Sequence, residues 1–128
     1  GVTAEILERH GAVSSECAEA MAAGMRSYAG SDHAVSVTGI AGPDGGSEEK
    51  PVGTVFIGYA GPNKVKSLKL TLPGDRYLIR WRASQAALDY HEFPVPGKTA
   101  VIATKPATAP DACYYTADHY NSFSRIAP

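Results

Sequence analysis

Thr38-Gly39-Ile40-Ala41-Gly42-Pro43-Asp44-Gly45-Gly46 leaves the end of a short β-branched run, His33-Ala34-Val35-Ser36-Val37-Thr38. The chain then resumes an extended pattern in Gly53-Thr54-Val55-Phe56-Ile57-Gly58-Tyr59-Ala60. The second run is apolar almost throughout, the pattern of a strand buried on both faces by helices. Gly61-Pro62-Asn63 reads as a turn. Lys64-Val65-Lys66-Ser67-Leu68-Lys69-Leu70 alternates polar and apolar residues, as a half-exposed strand in a hairpin with its predecessor does.

Helices flank these strands. One starts near Thr3 and runs through Ile6 and Leu7 to His10, where Gly11 breaks it. Ser14 is placed as an N-cap for a second, with Glu16 in its first turn to favour the helix dipole. Cys17, Met21, Met25 and Tyr28 recur along it at helical spacing as an apolar stripe. Ala20 and Gly24 leave room for another element to approach, and Gly30 ends the helix. Asp75 caps a third helix, from Arg76 to about Asp89, with Ile79, Ala83, Ala86 and Tyr90 as its buried stripe and Arg76 and Arg80 one turn apart. These elements predict an α/β fold, a partial three-layer sheet with flanking helices over residues 1–90. Residues 91–128 hold five of the nine prolines and no helical period, so they read as an irregular C-terminal tail in which Val101-Ile102-Ala103 is the only strand-like stretch.

The composition narrows the function. Twelve basic and thirteen acidic residues nearly cancel, which leaves no unopposed basic stripe for nucleic acid. No apolar run reaches the roughly 20 residues of a membrane span, and Gly1-Val2-Thr3-Ala4-Glu5 lacks the pattern of a signal peptide. Absence of an initiator Met suggests a processed chain or a fragment. Cys17 and Cys113 form no CxxC pair, pointing to a reducing, cytoplasmic compartment, with Cys17 a small core residue. The four histidines lack metal-ligand spacing, and no metal or cofactor is expected.

The chemistry is expected at the glycine loop. Gly39, Gly42, Gly45 and Gly46 let the backbone adopt positive φ and come close to a ligand, and successive N–H groups in such turns form a nest for an anion. Thr38 adds a hydroxyl at the strand end, Asp44 a carboxylate and Lys50 a positive charge. Neither GxxxxGK[ST] nor GxGxxG occurs, which counts against a Walker-type site and against a dehydrogenase. The loop also reads as nothing more than a long hairpin connection, and Arg76 and Arg80 as surface arginines. Their guanidinium groups nonetheless suit phosphate or carboxylate. No serine sits in a GxSxG context, and no nucleophile stands out.

Three motifs together resemble the CinA C-terminal domain family: His10-Gly11-Ala12-Val13-Ser14 with Glu16-Cys17-Ala18 and Met21-Ala22; Thr38 to Gly46 with Lys50-Pro51-Val52-Gly53-Thr54-Val55; and Gly74-Asp75-Arg76 with Ile79-Arg80. The resemblance covers about residues 1–90. It implies a nicotinamide-nucleotide amidase, which hydrolyses nicotinamide mononucleotide to nicotinate mononucleotide and ammonia by serine-type chemistry without a metal. Its partner would be a small-molecule nucleotide substrate. On this reading Arg76 and Arg80 serve catalysis, and Thr38, Gly39, Ala41, Gly42, Asp44, Gly45, Gly46 and Lys50 bind substrate. The family's AESCTGG-like segment with the candidate serine, which also supplies a strand and a helix, does not occur in this sequence. The chain is therefore expected to be inactive alone, or to be a non-catalytic anion-binding or interaction remnant. Edges left open by the missing segment favour self-association. Ala87 to Lys98, with Thr104-Lys105-Pro106, is similar to the extreme N-terminus of bacterial malic enzymes and carries no catalytic residue.

Overall fold

The computed structural model describes residues 1–88, 100–105, 112–116 and 124–126, the last three segments as backbone strands. The elements run α1 (Ala4–His10), α2 (Ser15–Ala29), β1 (His33–Gly39), β2 (Thr54–Ala60), β3 (Val65–Thr71), α3 (Arg76–Leu88), β4 (Ala100–Lys105), β5 (Ala112–Thr116) and β6 (Ser124–Ile126). One six-stranded sheet joins them in the order β3-β2-β1-β4-β5-β6. All its neighbours are antiparallel except β1 and β4, which run parallel with His33 opposite Ala100 and Thr38 opposite Lys105.

The helix ends follow the local chemistry. Ile6 N–H donates to the Thr3 hydroxyl at 3.2 Å, and Cys17 N–H to the Ser14 hydroxyl at 3.2 Å. These are side-chain caps for donors that the first helical turn leaves without partners. Leu78 N–H finds Asp75 Oδ1 at 2.9 Å, so Asp75 caps α3 as its position suggests. Gly30 closes α2 in the left-handed conformation, at φ 61° and ψ 29°.

Side chains alternate across the sheet, and each face takes its own helix. Val35, Val55, Ile57 and Tyr59 pack against Ile79, Ala83 and Ala87 of α3, with Ala41, Val52, Leu70 and Leu72 at the margin. The opposite face carries Ala34, Ser36, Thr38 and Gly58 beneath α2, where the Ser36 hydroxyl donates to Ala18 O at 2.5 Å. Every residue of β2 is buried, which accounts for its unbroken apolar character. Edge strand β3 is partly exposed, as expected, but its burial does not follow the polar–apolar alternation: Val65 and Leu68 are exposed while Lys66, Ser67 and Leu70 are half-buried.

Two further details differ from the sequence reading. The buried face of α2 is Cys17, Ala18 and Ala22, whereas Met21 and Met25 are half-buried and Tyr28 is 76% exposed. The cause is the close seating of α2 over Gly58: a Cβ there would collide with Ala18 O, so only small side chains fit between helix and sheet. Gly24 and Ala20 do receive a close neighbour, the first residue of the chain. The second difference is the tail. Its one expected strand extends to Ala100–Lys105, and two further strands follow, so these backbone segments continue the sheet beyond β1. Period and composition could not reveal this, because the pairing of β4 is with a strand over sixty residues earlier in the chain. Tyr90 and most of the stretch similar to malic enzymes lie outside the described residues.

Candidate functional site

The loop from Ile40 to Gly53 joins two antiparallel neighbours, so it is a hairpin connection in topology. Ile40 N–H donates to Thr54 O at 2.9 Å and Gly53 N–H to Ile40 O at 2.7 Å, which fixes its base. Farther along, Ser47 N–H bonds Lys50 O and Lys50 N–H bonds the Ser47 hydroxyl, closing a compact turn on the return arm. Between these anchors, no acceptor among the described residues takes the N–H of Ala41, Gly42, Asp44, Gly45 or Gly46. Of these residues Asp44, Gly45 and Gly46 are exposed, so the apex offers their backbone donors.

The glycines divide by role. Gly42 and Gly45 take positive φ, 77° and 92°, where an L side chain is strained. Gly39 and Gly46 serve close packing: a Cβ on Gly39 would stand 2.8 Å from Thr54 O, and one on Gly46 2.8 Å from Val52 N. Positive φ thus falls to Gly42 and Gly45, while at Gly39 and Gly46 the room left by the missing Cβ is taken by neighbouring chain.

Arg76 Nη1 donates to Gly42 O at 2.9 Å, which brings the first turn of α3 to the loop. Arg80, one turn on, is exposed, and its side chain makes no hydrogen bond or ion pair among the described residues. Ala41 packs at the edge of the α3 core, and Asp44 is exposed at the apex. Thr38 is 2% exposed and gives its hydroxyl proton to Ala12 O at 2.7 Å on the α2 side, so that hydroxyl anchors the segment between α1 and α2 to the sheet. Lys50 Nζ donates to His10 O at 3.0 Å, at the carboxyl end of α1, where a cation complements the helix dipole. The proposed cations thus sit at separate places: Arg76 by Gly42, Lys50 by α1.

Around Lys50 lies a hollow of about 230 Å³, walled by Arg9, His10, Glu16, Glu49 and Phe56. His10 Nδ1 stands 3.5 Å from Glu16 Oε1. The Glu16 carboxyl is held below its ordinary value, first by its own backbone N–H at the start of α2 and then by the Ser15 hydroxyl at 2.9 Å. Arg9, Glu49 and Phe56 were not singled out by sequence, since nothing local announces that a helix end, a loop arm and a strand meet. Deeper in the sheet, His33 Nδ1 and the Tyr59 hydroxyl lie 2.8 Å apart, both buried. Among the described residues no helix is long and apolar enough to cross a membrane.

Fold and site together define an α/β domain in which a glycine-rich hairpin loop is tied to the first turn of a covering helix. The model of the CinA C-terminal domain matches residues 1–92, and the chain belongs to that family. It is similar to a CinA-like protein of Gemmatimonas aurantiaca, 51% identical over 89 residues, which is 70% of this chain and 21% of that protein. It is likewise 51% identical over 90 residues, 70% of this chain, to a putative competence-damage inducible protein of Clostridium acetobutylicum, of which it covers 22%. The chain thus spans about a fifth of the length of these curated relatives. Among solved structures it is similar to the competence/damage inducible protein CihA of Agrobacterium tumefaciens, with TM-score 0.68 and 40% identity over 70% of this chain and 56% of that one. A CinA superfamily protein of Escherichia coli gives TM-score 0.66 and 32% identity, covering 69% of this chain and 51% of its own.

Proposed function

We propose that this chain contributes the nucleotide-facing part of a nicotinamide-nucleotide amidase, which converts nicotinamide mononucleotide and water to nicotinate mononucleotide and ammonia. The contact of Arg76 with Gly42 O carries the reading, because it sets a guanidinium at the root of a loop whose apical N–H groups are open to a ligand. Arg76 and Arg80 supply charge suited to a phosphate. The exposed N–H groups of Asp44, Gly45 and Gly46 suit either that phosphate or the oxyanion that develops when the amide carbonyl is attacked. Asp44 at the apex suits a ribose hydroxyl.

The serine nucleophile belongs to the segment that the family resemblance places upstream. The buried hydroxyls near the loop are already committed: those of Ser14, Ser36, Thr38 and Thr54 donate to the carbonyl oxygens of Gly11, Ala18, Ala12 and Pro51. That commitment also favours a second reading, a non-catalytic anion-binding remnant.

Ammonia release from nicotinamide mononucleotide separates the two readings. The chain alone should give none above background, and a version extended upstream with the serine-bearing segment should turn over. Should the extended version bind inorganic phosphate but release no ammonia, the remnant reading holds.

A further inference from the structure

Strand β3 (Val65–Thr71) ends the sheet, and among the described residues no strand lies beyond it. Its outward backbone groups follow from the ladder with β2. Leu72 N–H donates to Gly53 O and Gly61 N–H to Lys64 O, both at 2.8 Å, so these two pairs are hydrogen-bonded. Bonded and non-bonded pairs alternate in an antiparallel ladder, which makes Val55–Leu70, Ile57–Leu68 and Tyr59–Lys66 the bonded pairs between them. The N–H and C=O groups of Val65, Ser67, Lys69 and Thr71 therefore point away from β2, along the outer edge.

An edge of this kind is a template for another strand, and lysines along it are a common guard, because like charges directly opposed repel. Lys64, Lys66 and Lys69 stand on or beside β3. A second copy of the strand, laid antiparallel about a two-fold axis at Leu68, evades that guard. Val65 then stands opposite Thr71 and Ser67 opposite Lys69, so all four outward-pointing residues find partners of the same kind. Lys66 meets Leu70, and Lys64 meets Leu72. An axis at Lys66 or Lys69 would set that lysine against its own copy, and one at Ser67 would leave Thr71 beyond the end of the other strand.

We infer that two copies of this chain pair β3 to β3 about a two-fold axis at Leu68, which joins their sheets into one. Main-chain hydrogen bonds supply the affinity, and the side chains set the register. Leu68, 41% exposed in the single chain, meets its own copy on the side of the sheet that α3 covers. On the α2 side the Ser67 hydroxyl donates to Glu19 Oε1 at 2.7 Å, and the second copy's Lys69 stands opposite Ser67, beside that carboxylate. In the single chain the Lys69 ammonium lies over the Phe56 ring, 5.8 Å from its centroid. Pairing exchanges that aromatic neighbour for an opposite charge, and symmetry makes the contact twice. The inference is independent of any amidase activity.

Sedimentation equilibrium of the full 128-residue chain should show a dimer that dissociates on dilution. Lys69→Pro removes an N–H that faces the outer edge and leaves the ladder to β2 whole. It should weaken the dimer at least tenfold while the amides of Leu68 and Leu70 keep their hydrogen-exchange protection. The register is read by cross-linking in a Cys113→Ser background, where the other cysteine, Cys17, is buried. Directly opposed residues of a non-bonded pair stand about 4.5 Å apart between Cα atoms, within reach of a disulfide. Leu68→Cys should therefore cross-link on mild oxidation at least tenfold faster than Val65→Cys, which is equally exposed but opposes Thr71. A monomer at the highest soluble concentration, a dimer untouched by Lys69→Pro, or equal cross-linking by the two cysteine variants overturns the proposal. If the proline variant fails to fold, the cysteine pair still decides.

Discussion

The Arg76 guanidinium and the Gly42 carbonyl, 2.9 Å apart, make the first turn of α3 and the root of the glycine loop a single unit. The bond joins a cation to a carbonyl whose peptide is part of a turn at φ 77°, so losing it frees the loop more than it harms the core. Arg76→Ala should cost about 1 kcal/mol or less in urea unfolding, the net worth of one partly exposed hydrogen bond. In an upstream-extended, active version it should lower kcat/KM on nicotinamide mononucleotide by tenfold or more. Arg80→Ala, which breaks no side-chain hydrogen bond or ion pair among the described residues, should leave loop exchange rates unchanged. An unaltered kcat/KM for Arg76→Ala would remove Arg76 from the site.

Gly58 fixes the seat of α2. A Cβ there would overlap Ala18 O and stand 2.5 Å from Ser36 Oγ, so Gly58→Ala must lift the helix or displace a buried hydroxyl. Overpacking of this kind costs about 1–3 kcal/mol. The urea midpoint should fall accordingly, with the slope unchanged. A neutral result would mean that α2 rides higher on the sheet than its contacts indicate.

Where local chemistry decides an element, the sequence was legible. Ser14 and Asp75 cap helices because a side-chain oxygen three residues before an orphan N–H can reach it, and the unbroken apolar run of β2 announced cover on both faces. Where the outcome depends on a distant surface, it was not. The stripe of Met21 and Met25 fits helical spacing, yet Gly58 and Ser36 on the sheet choose the narrower face of Ala18 and Ala22. The loop divided in the same way. The positive φ at Gly42 and Gly45 follows from their being glycine, whereas the anchoring of Thr38 to Ala12 and of Lys50 to His10 depends on how α1 and the start of α2 lie across the sheet.

Thr38 offers a direct test of anchor against ligand contact. Its hydroxyl gives its proton to Ala12 O in a buried setting, so Thr38→Val keeps the shape and leaves that carbonyl without its donor. The expected cost is about 1–3 kcal/mol, the penalty for a buried polar group left unsatisfied. Stability measured by urea should drop while substrate KM in the extended version stays within about twofold, a shift worth under roughly 0.5 kcal/mol. A raised KM with unchanged stability would return Thr38 to the substrate.

Glu16 adds a small acid-dependent contribution to stability at the start of α2. Its folded-state carboxyl lies below the ordinary value because its own backbone N–H and the Ser15 hydroxyl favour the ionised form, with His10 and Lys50 adding smaller attraction. A depressed carboxyl contributes stability that is fully present above the unfolded-state value and lost as pH falls through the folded-state one. Glu16→Gln should therefore be less stable than the unaltered chain at pH 7, and the gap should close as the pH is lowered through the acid range. The group is exposed, so the gap should be small and shrink further in high salt. Urea titrations of both forms at pH 7 and pH 3 check this: a gap that widens toward pH 3 would show that protonated, not ionised, Glu16 is the form the helix start prefers.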